Sequence, residues 1–454
     1  MRVINRDRLQ SAARAVQYLC LLAVLCVEIL YFLPGHPADN LLYTFLEWRL
    51  VDVSILFLAA SLCCGGLRRG RRQLLLVLLT VIWFYVVRSL HLQLEQTAKT
   101  PGVFVCGYAL CFLFAAAAGD GERQWGLKGM AALFSAVSIV FSLYAALLVL
   151  NRLPDFLADD VYWDGARLGI LSHPNICATL LMVGSGLSAG FALSVKQWRL
   201  RIPLLLLAVP PLWALSLTNS RTMVILACVQ FGAITFFALK KPGWKRTAAA
   251  VLAAILVTVS LFAVSRTIFA GNKARLTEQA RQQTTGETRL NEKGNLKTEN
   301  GQGSMSNDLR TLNGRTEIWA AAAEGLRANP RILLTGTEKV GETISPYWQR
   351  MDTLHAHNSW VEALYQLGLP GLVSALVLTV LALWNAAVLL RRNNDLWKSC
   401  VAVVMLGLLG CAFLEPYLFT VNIKYHFFDF LFLLCLGYMN QWRIGERGRY
   451  EFTE

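Results

Sequence analysis

The feature that most constrains this chain is the recurrence of apolar runs about 20 residues long. A helix of that length crosses a hydrocarbon core of roughly 30 Å, and it satisfies every backbone polar group internally, as lipid requires. Of the 454 residues, 55% are hydrophobic and only 16% charged, too little polarity for the surface of a soluble protein of this size. The runs at 15–33, 50–66, 73–90, 101–118, 127–150, 169–194, 202–217, 222–239, 247–265, 370–390, 399–419 and 426–440 read as spans. The expected fold class is therefore an all-α polytopic membrane protein with about 12 transmembrane helices. One large extracytoplasmic loop with short helices separates spans nine and ten. Pro203, Pro210 and Pro211 predict a kink in the seventh span.

Orientation follows from the loops. Basic residues crowd one alternating set: Arg2, Arg6, Arg8 and Arg14; Arg68, Arg69, Arg71 and Arg72; Lys240, Lys241, Lys245 and Arg246; Arg391, Arg392 and Lys398. The other set carries single cations such as Arg49, Lys99, Arg152, Arg167, Arg221 and Lys424. Cytoplasmic loops hold the Lys and Arg excess, so both termini are expected inside and the long loop outside. The net charge of +14 is then mainly a topology signal, and no nucleic-acid partner is expected. The basic N-terminus resembles a secretion leader, but its apolar run is long and no small-residue cleavage site follows, so it reads as a retained first span. The eleven cysteines lie in or beside apolar runs without a CxxC pair. They read as small buried hydrophobes, not as disulfides or zinc ligands.

The chain divides into N-terminal helices (1–168), a core (169–390) that includes the outer loop 266–369, and C-terminal helices with a cytoplasmic tail (391–454). Within the loop, 271–313 is polar and nearly free of large apolar residues, which predicts a flexible excursion. After it, Asn313 can cap a helix that Asn329 and Pro330 end. A second helical run, 354–367, leads through Gly368, Pro370 and Gly371 into span ten. Tyr347, Trp348 and Trp360 suit a segment at the membrane interface.

This water-compatible stretch holds His355 and His357 within three residues, and Arg315 at a helix start. Arg221 opens the eighth span on the same side. Guanidinium groups grip phosphate with two parallel hydrogen bonds and stay charged. Histidine titrates nearest neutrality and suits proton transfer. Two arginines and a histidine at an outer interface could bind a diphosphate head group and supply a base. Plainer roles stay open: an arginine at a helix end also snorkels, and either histidine could cap a helix or sit at the surface. His355 and His357, two apart, share no helical face and form no helically spaced metal pair, and no acidic cluster stands near them in sequence. Asn175 reads first as a helix cap and second as a sugar contact. Glu28 and Asp52 are costly inside spans and could pair with neighbouring helices. Asp155, Asp159, Asp160 and Asp164 read as a solvated acidic loop.

The order of SLTNSRTMV, NGRTEIW with NPRILLTGTEKV, and HAHNSWVEALYQLGLPGL resembles the O-antigen ligase and polymerase superfamily of bacterial envelopes. The earlier GILSHPNICATLL is similar to that family's glycine-x-Asn-Pro-Asn stretch opening a span. The resemblance covers roughly 169–390. It departs at His173, at the glycine-poor TGTEKVGET and at the long excursion. It implies a glycosyltransferase of the cytoplasmic (inner or plasma) membrane with an extracytoplasmic site. Such an enzyme moves a glycan from a polyprenyl-diphosphate (undecaprenyl-type) donor to an acceptor hydroxyl, with neither metal nor other cofactor. The acceptor is a lipid, a wall polymer or a protein, and membrane lipids surround the site. Arg221 and Arg315 would bind the diphosphate and His357 would be the base, with His355, Asn358 and Asn175 in support. A polymerase extending lipid-linked repeats, or a non-enzymatic flippase for the same glycan, are the alternatives.

Overall fold

The computed structural model describes residues 124–158, 160–164, 166–170, 173–240, 242–284, 315–337, 340–347, 355–392, 395–419 and 426–450, with a few isolated helical residues before residue 61. The four expected spans before residue 119 lie almost wholly outside the described residues, as do Glu28, Asp52, Asp159, Trp348 and 285–313.

The described chain is mostly helical. It comprises α1 (Trp125–Val149), a hairpin of β1 (Val161–Asp164) and β2 (Arg167–Ile170), α2 (Pro174–Ser194), α3 (Trp198–Leu206), α4 (Val209–Leu217), α5 (Arg221–Leu239), α6 (Trp244–Thr284), α7 (Arg315–Ala328), α8 (Ile332–Thr335), α9 (Val340–Ile344), α10 (Ser359–Arg392), α11 (Leu396–Leu414) and α12 (His426–Tyr450). Among the described residues, seven helical stretches are long and apolar enough to cross a membrane: α1, α2, α3 with α4, α5, α6, α10 and α11. They correspond to the fifth to eleventh expected spans, and the chain is a multi-pass membrane protein. The twelfth, 426–440, lies in α12, a 25-residue helix that is not among these seven.

Helix α2 is the hub. It packs against α1, α4, α5 and α11 and is buried along nearly its whole length. Its Gly, Ser and Ala residues let neighbouring helices approach closely, as small residues do between membrane helices. The described cysteines, Cys20, Cys177, Cys228, Cys400, Cys411 and Cys435, are all buried free thiols, as expected.

Several boundaries differ from the sequence expectation, each for a local reason. Residues 169 and 170 form strand β2 rather than the start of a span, so the fold is not strictly all-α. His173 accepts from the Asn175 N–H at 3.2 Å, and Pro174 sits at the first helical position, so α2 begins there. Prolines divide the seventh span, with a turn at Leu207 and Ala208 between α3 and α4. Helix α6 continues well past residue 265 to Thr284, so the first part of the expected excursion is helical. At 1.5 Å per residue its 41 residues reach about 60 Å, twice the hydrocarbon thickness. Its far half docks on the hairpin. Arg275 donates to the Val149 carbonyl and to Asn272 Oδ1 and lies 5.9 Å from the Trp163 ring centroid.

Helix α10 begins at Ser359, not near 354, and is broken at Gly368, where φ is +69°. Trp360 Nε1 donates to Thr379 Oγ1 at 2.9 Å. In a straight helix those residues would stand roughly 28 Å apart along the axis, so the limb 359–367 folds back on the main limb. This short limb, α7, α8 and α9 share a second, smaller core of Ile318, Ala321, Ala322, Ile332, Val340, Ile344, Ala356 and Tyr365. A two-glycine clasp closes it. Gly336 (φ +71°) lies against the Gln366 carbonyl and Gly368 against the Leu334 carbonyl, where an added Cβ would sit 2.4 Å and 2.8 Å from those oxygens. Thr337 N–H donates to the Tyr365 carbonyl at 2.6 Å in the same contact.

Gly368→Ala puts a side chain into a left-handed conformation and into the Leu334 backbone. We expect it to cost about 1–3 kcal/mol, read as a lower thermal midpoint in detergent. An unchanged midpoint would show that the clasp is not rigid.

Candidate functional site

Helix α11 stops at Leu414, and Glu415 leaves it with extended backbone (φ −146°, ψ 150°). An acidic group at a helix C-terminus opposes the macrodipole. Here a cation reverses the sign. Arg315, the first residue of α7, donates from Nε to the Leu414 carbonyl at 2.7 Å and from Nη2 to Glu415 Oε1. Both side chains are buried, 10% and 3% exposed, so the pair is held away from solvent. It also answers the misplacement of a cation at the start of α7.

The other face of Glu415 meets His357, whose Nδ1 lies 3.2 Å from Oε2. His357 sits in left-handed backbone (φ +50°), a conformation uncommon for a side-chain-bearing residue but more accessible to His than to most. Its loop is pinned from all sides. Ala356 N–H donates to Glu362 Oε2 at 2.8 Å, Trp319 Nε1 donates to the Ala356 carbonyl at 3.1 Å, and His357 N–H donates to His355 Nδ1 at 3.3 Å. Asn358 caps the limb that follows: its Oδ1 accepts from Trp360 and Val361 N–H, while its Nδ2 donates to the Phe413 carbonyl at 3.0 Å. Ser359 Oγ donates to the Glu415 carbonyl at 2.9 Å and accepts from Leu418 N–H at 3.0 Å. The histidine loop and the end of α11 are thereby one unit.

Asn175 enters from α2. Its Nδ2 donates to Glu415 Oε1 at 2.8 Å and its Oδ1 accepts from Arg167 Nη2 at 3.1 Å. The cap expected of Asn175 is instead made by His173, and Asn175 is a bridge. Arg167 also donates from Nε to the Thr218 carbonyl at 3.1 Å and stands 3.8 Å from Asp164. Thr218 belongs to the turn before Arg221, which is exposed at the first residue of α5.

The structure therefore gathers Arg315, His357, His355, Asn358 and Asn175 about one buried carboxylate. The turn that precedes Arg221 is tied to this cluster through Thr218, Arg167 and Asn175. The sequence reading missed Glu415, because Glu415 stands 58 residues after His357 and was read as part of an eleventh span ending at 419. A lone acidic residue in the apolar run CAFLEPYLF was the signal that could have found it.

Charge states follow from the packing. Burial by itself would raise the Glu415 carboxyl, but the hydrogen bond from His357 and the charges of His357 and Arg315 outweigh it and hold it at about 2. Burial, then the charge of His357, pushes His355 down to about 3, so His355 is neutral at neutral pH. Burial likewise lowers His173. An ionised carboxylate only accepts, so it fixes His357 with its proton on Nδ1 and turns Nε2 into the acceptor. Ligand atoms of His355, His357 and Glu415 all lie within 4.8 Å of one another, close enough for a metal ion. Such an ion would compete with the guanidinium of Arg315 and with Asn175 for the carboxylate.

These features define a multi-pass helical membrane protein with a buried arginine–glutamate–histidine site at one end of the bundle. Residues 203–376 match the O-Antigen ligase family, which supports placement in the O-antigen ligase and polymerase superfamily. The matched segment contains Arg221, Arg315, His355, His357 and Asn358, whereas Arg167, Asn175 and Glu415 lie outside it. No curated protein matches the chain.

A carboxyl depressed in the fold adds stability above its ordinary value, lost as pH falls through the folded one. Wild type should exceed Glu415→Gln by on the order of 3 kcal/mol above pH 5. The gap should close between pH 4.5 and about 2 in thermal melts. A gap that is independent of pH would mean that the Glu415 charge is not what stabilises the site.

Proposed function

We propose that this protein transfers a glycan from a polyprenyl-diphosphate-linked donor to an acceptor hydroxyl, at the outer face of the cytoplasmic membrane. The observation that carries the reading is the single buried carboxylate holding both Arg315 and His357. A guanidinium has five N–H donors, so pairing with Glu415 and Leu414 is compatible with a phosphate contact. Arg221, exposed at the mouth of α5, is the second diphosphate ligand. His357 Nε2 accepts the proton of the acceptor hydroxyl as its oxygen bonds to the anomeric carbon. The bond from that carbon to the diphosphate oxygen breaks, and its electron pair leaves with the polyprenyl diphosphate. Attack from the face opposite the leaving group inverts the anomeric centre.

The energetic requirement is modest, because a diphosphate is already a good leaving group. Fixed cations in a water-poor site stabilise the charge that develops on it without reorganising. A positioned base contributes about 10²–10⁴-fold. Glu415 keeps the tautomer of His357, the role of the carboxylate in a serine-hydrolase triad. The family match supports lipid-linked glycan chemistry in general, and a single transfer is the ligase form of it.

We expect His357→Ala to lose at least about 100-fold in transfer while still folding and inserting. Arg315→Lys should weaken donor use, because an ammonium cannot make two parallel contacts. Both are read from glycan products of the purified protein: one shifted band marks a ligase and a ladder a polymerase. Full activity in His357→Ala would remove the histidine from the mechanism.

A further inference from the structure

Two of the groups assigned to the donor, Arg221 and Arg315, sit on different helices, so something must set their separation. Among the described residues, one continuous chain of hydrogen bonds across that gap runs through Arg167, beside the direct packing of α5 on α11 and the Cys411–Met223 contact. Its Nε donates to the Thr218 carbonyl, in the turn before Arg221, at 3.1 Å. Its Nη2 donates to Asn175 Oδ1 at 3.1 Å, and Asn175 Nδ2 donates to Glu415 Oε1 at 2.8 Å. Glu415 holds Arg315 and His357. Arg167 itself is carried on a hairpin held through both strands. Leu168, Gly169 and Ile170 are buried, and Trp163, opposite Leu168, lies under the Arg275 guanidinium of α6. This gives a role to a feature the transfer chemistry does not use: a two-stranded excursion placed between α1 and α2.

We infer that Arg167 is a positioning residue for the transfer proposed above, fixing the Arg221 turn against the Glu415 cluster. The inference rests on that reading of the site. Only a guanidinium suits the task. Nε and Nη2 point along different directions of one rigid plane, so one side chain can grip a carbonyl and an amide at once. Lysine keeps the charge and loses the second grip. The Thr218 turn includes a left-handed residue, Asn219, with φ +48°, a conformation that Asn adopts more readily than most.

The consequence is kinetic. Each arginine can still meet a phosphate oxygen in the ground state if the turn shifts. Alignment of leaving group, anomeric carbon and base in the transition state cannot adapt in the same way. A displacement of about 1 Å can cost 100-fold in rate, so the loss should fall on kcat more than on donor KM.

The test uses the full-length protein in detergent or nanodiscs, with a polyprenyl-diphosphate oligosaccharide as donor. Arg167→Lys, Asn175→Ala and the double variant are compared with wild type, and His357→Ala serves as reference. We expect kcat to fall about 10–100-fold in each single variant. Donor KM should stay within about twofold, and the thermal midpoint should not move in Arg167→Lys but should fall in Asn175→Ala, which takes a hydrogen bond from the buried carboxylate. The double variant should be no slower than the slower single, as for two links of one bridge. A raised donor KM with unchanged kcat would make Arg167 a direct phosphate ligand and overturn the inference. So would multiplying effects in the double variant, a lowered midpoint in Arg167→Lys that tracks its loss of rate, or wild-type kinetics in Arg167→Lys. If wild type forms no glycan product from any acceptor, the transfer reading itself fails. If His357→Ala is inactive and Arg167→Lys is normal, only the positioning role falls.

Discussion

The site depends on one buried ion pair. Taking a carboxylate and a guanidinium out of water is expensive, and their attraction offsets the cost only when geometry and further hydrogen bonds are good. Arg315 and Glu415 meet those terms. The guanidinium also satisfies the last carbonyl of α11, and the carboxylate also accepts from Asn175 and His357. Removing one partner of such a pair leaves an uncompensated charge, at a cost of about 3–5 kcal/mol. The pair therefore ties the position of α7 to the end of α11, although the two residues are 100 positions apart in sequence.

Much of the remaining architecture can be understood as support for that contact. The fold-back of α10 at Gly368 brings the histidine loop under α7, and the small core around Tyr365 holds the two together. Trp319, Asn358 and Glu362 each bond to backbone of the histidine loop or to the end of α11. His357 is thus held in left-handed backbone by its surroundings, the kind of local strain that persists where the structure over-determines a residue. Rigid support of this kind suits a site that acts by placing fixed charges rather than by induced movement.

The sequence carried the spans well, because hydrocarbon thickness imposes a length that composition reveals directly. The run at 127–150 and helix α1 differ by a few residues, and so do 222–239 and α5. It also carried the residue types of the site, since Arg315, His357 and Asn358 stand out in an apolar chain. Connections set by tertiary contact were less legible. Nothing local to Gly169 announces a strand; β2 exists because β1 pairs with it, with β1 packed on α1 and β2 on α2. Helix α6 runs past the apolar stretch because its polar half finds the hairpin through Arg275, which hydropathy does not register. Glu415 stood out only as a lone acidic residue in an apolar run, and its role was hidden for a related reason: its partners come from three other segments of the chain. Asn175 was legible as a polar residue at a helix start, but its two side-chain contacts belong to β2 and to the end of α11.

The most direct measurement of the central claim is the fate of the donor. Purified protein in liposomes would be given a polyprenyl-diphosphate oligosaccharide labelled in both lipid and glycan, with candidate acceptors in excess. The account predicts that glycan appears on acceptor and free polyprenyl diphosphate accumulates in equal amounts, with the anomeric configuration inverted. Donor that crosses the bilayer intact, with no free polyprenyl diphosphate formed, would contradict it and make the arginine–glutamate–histidine site part of a transporter.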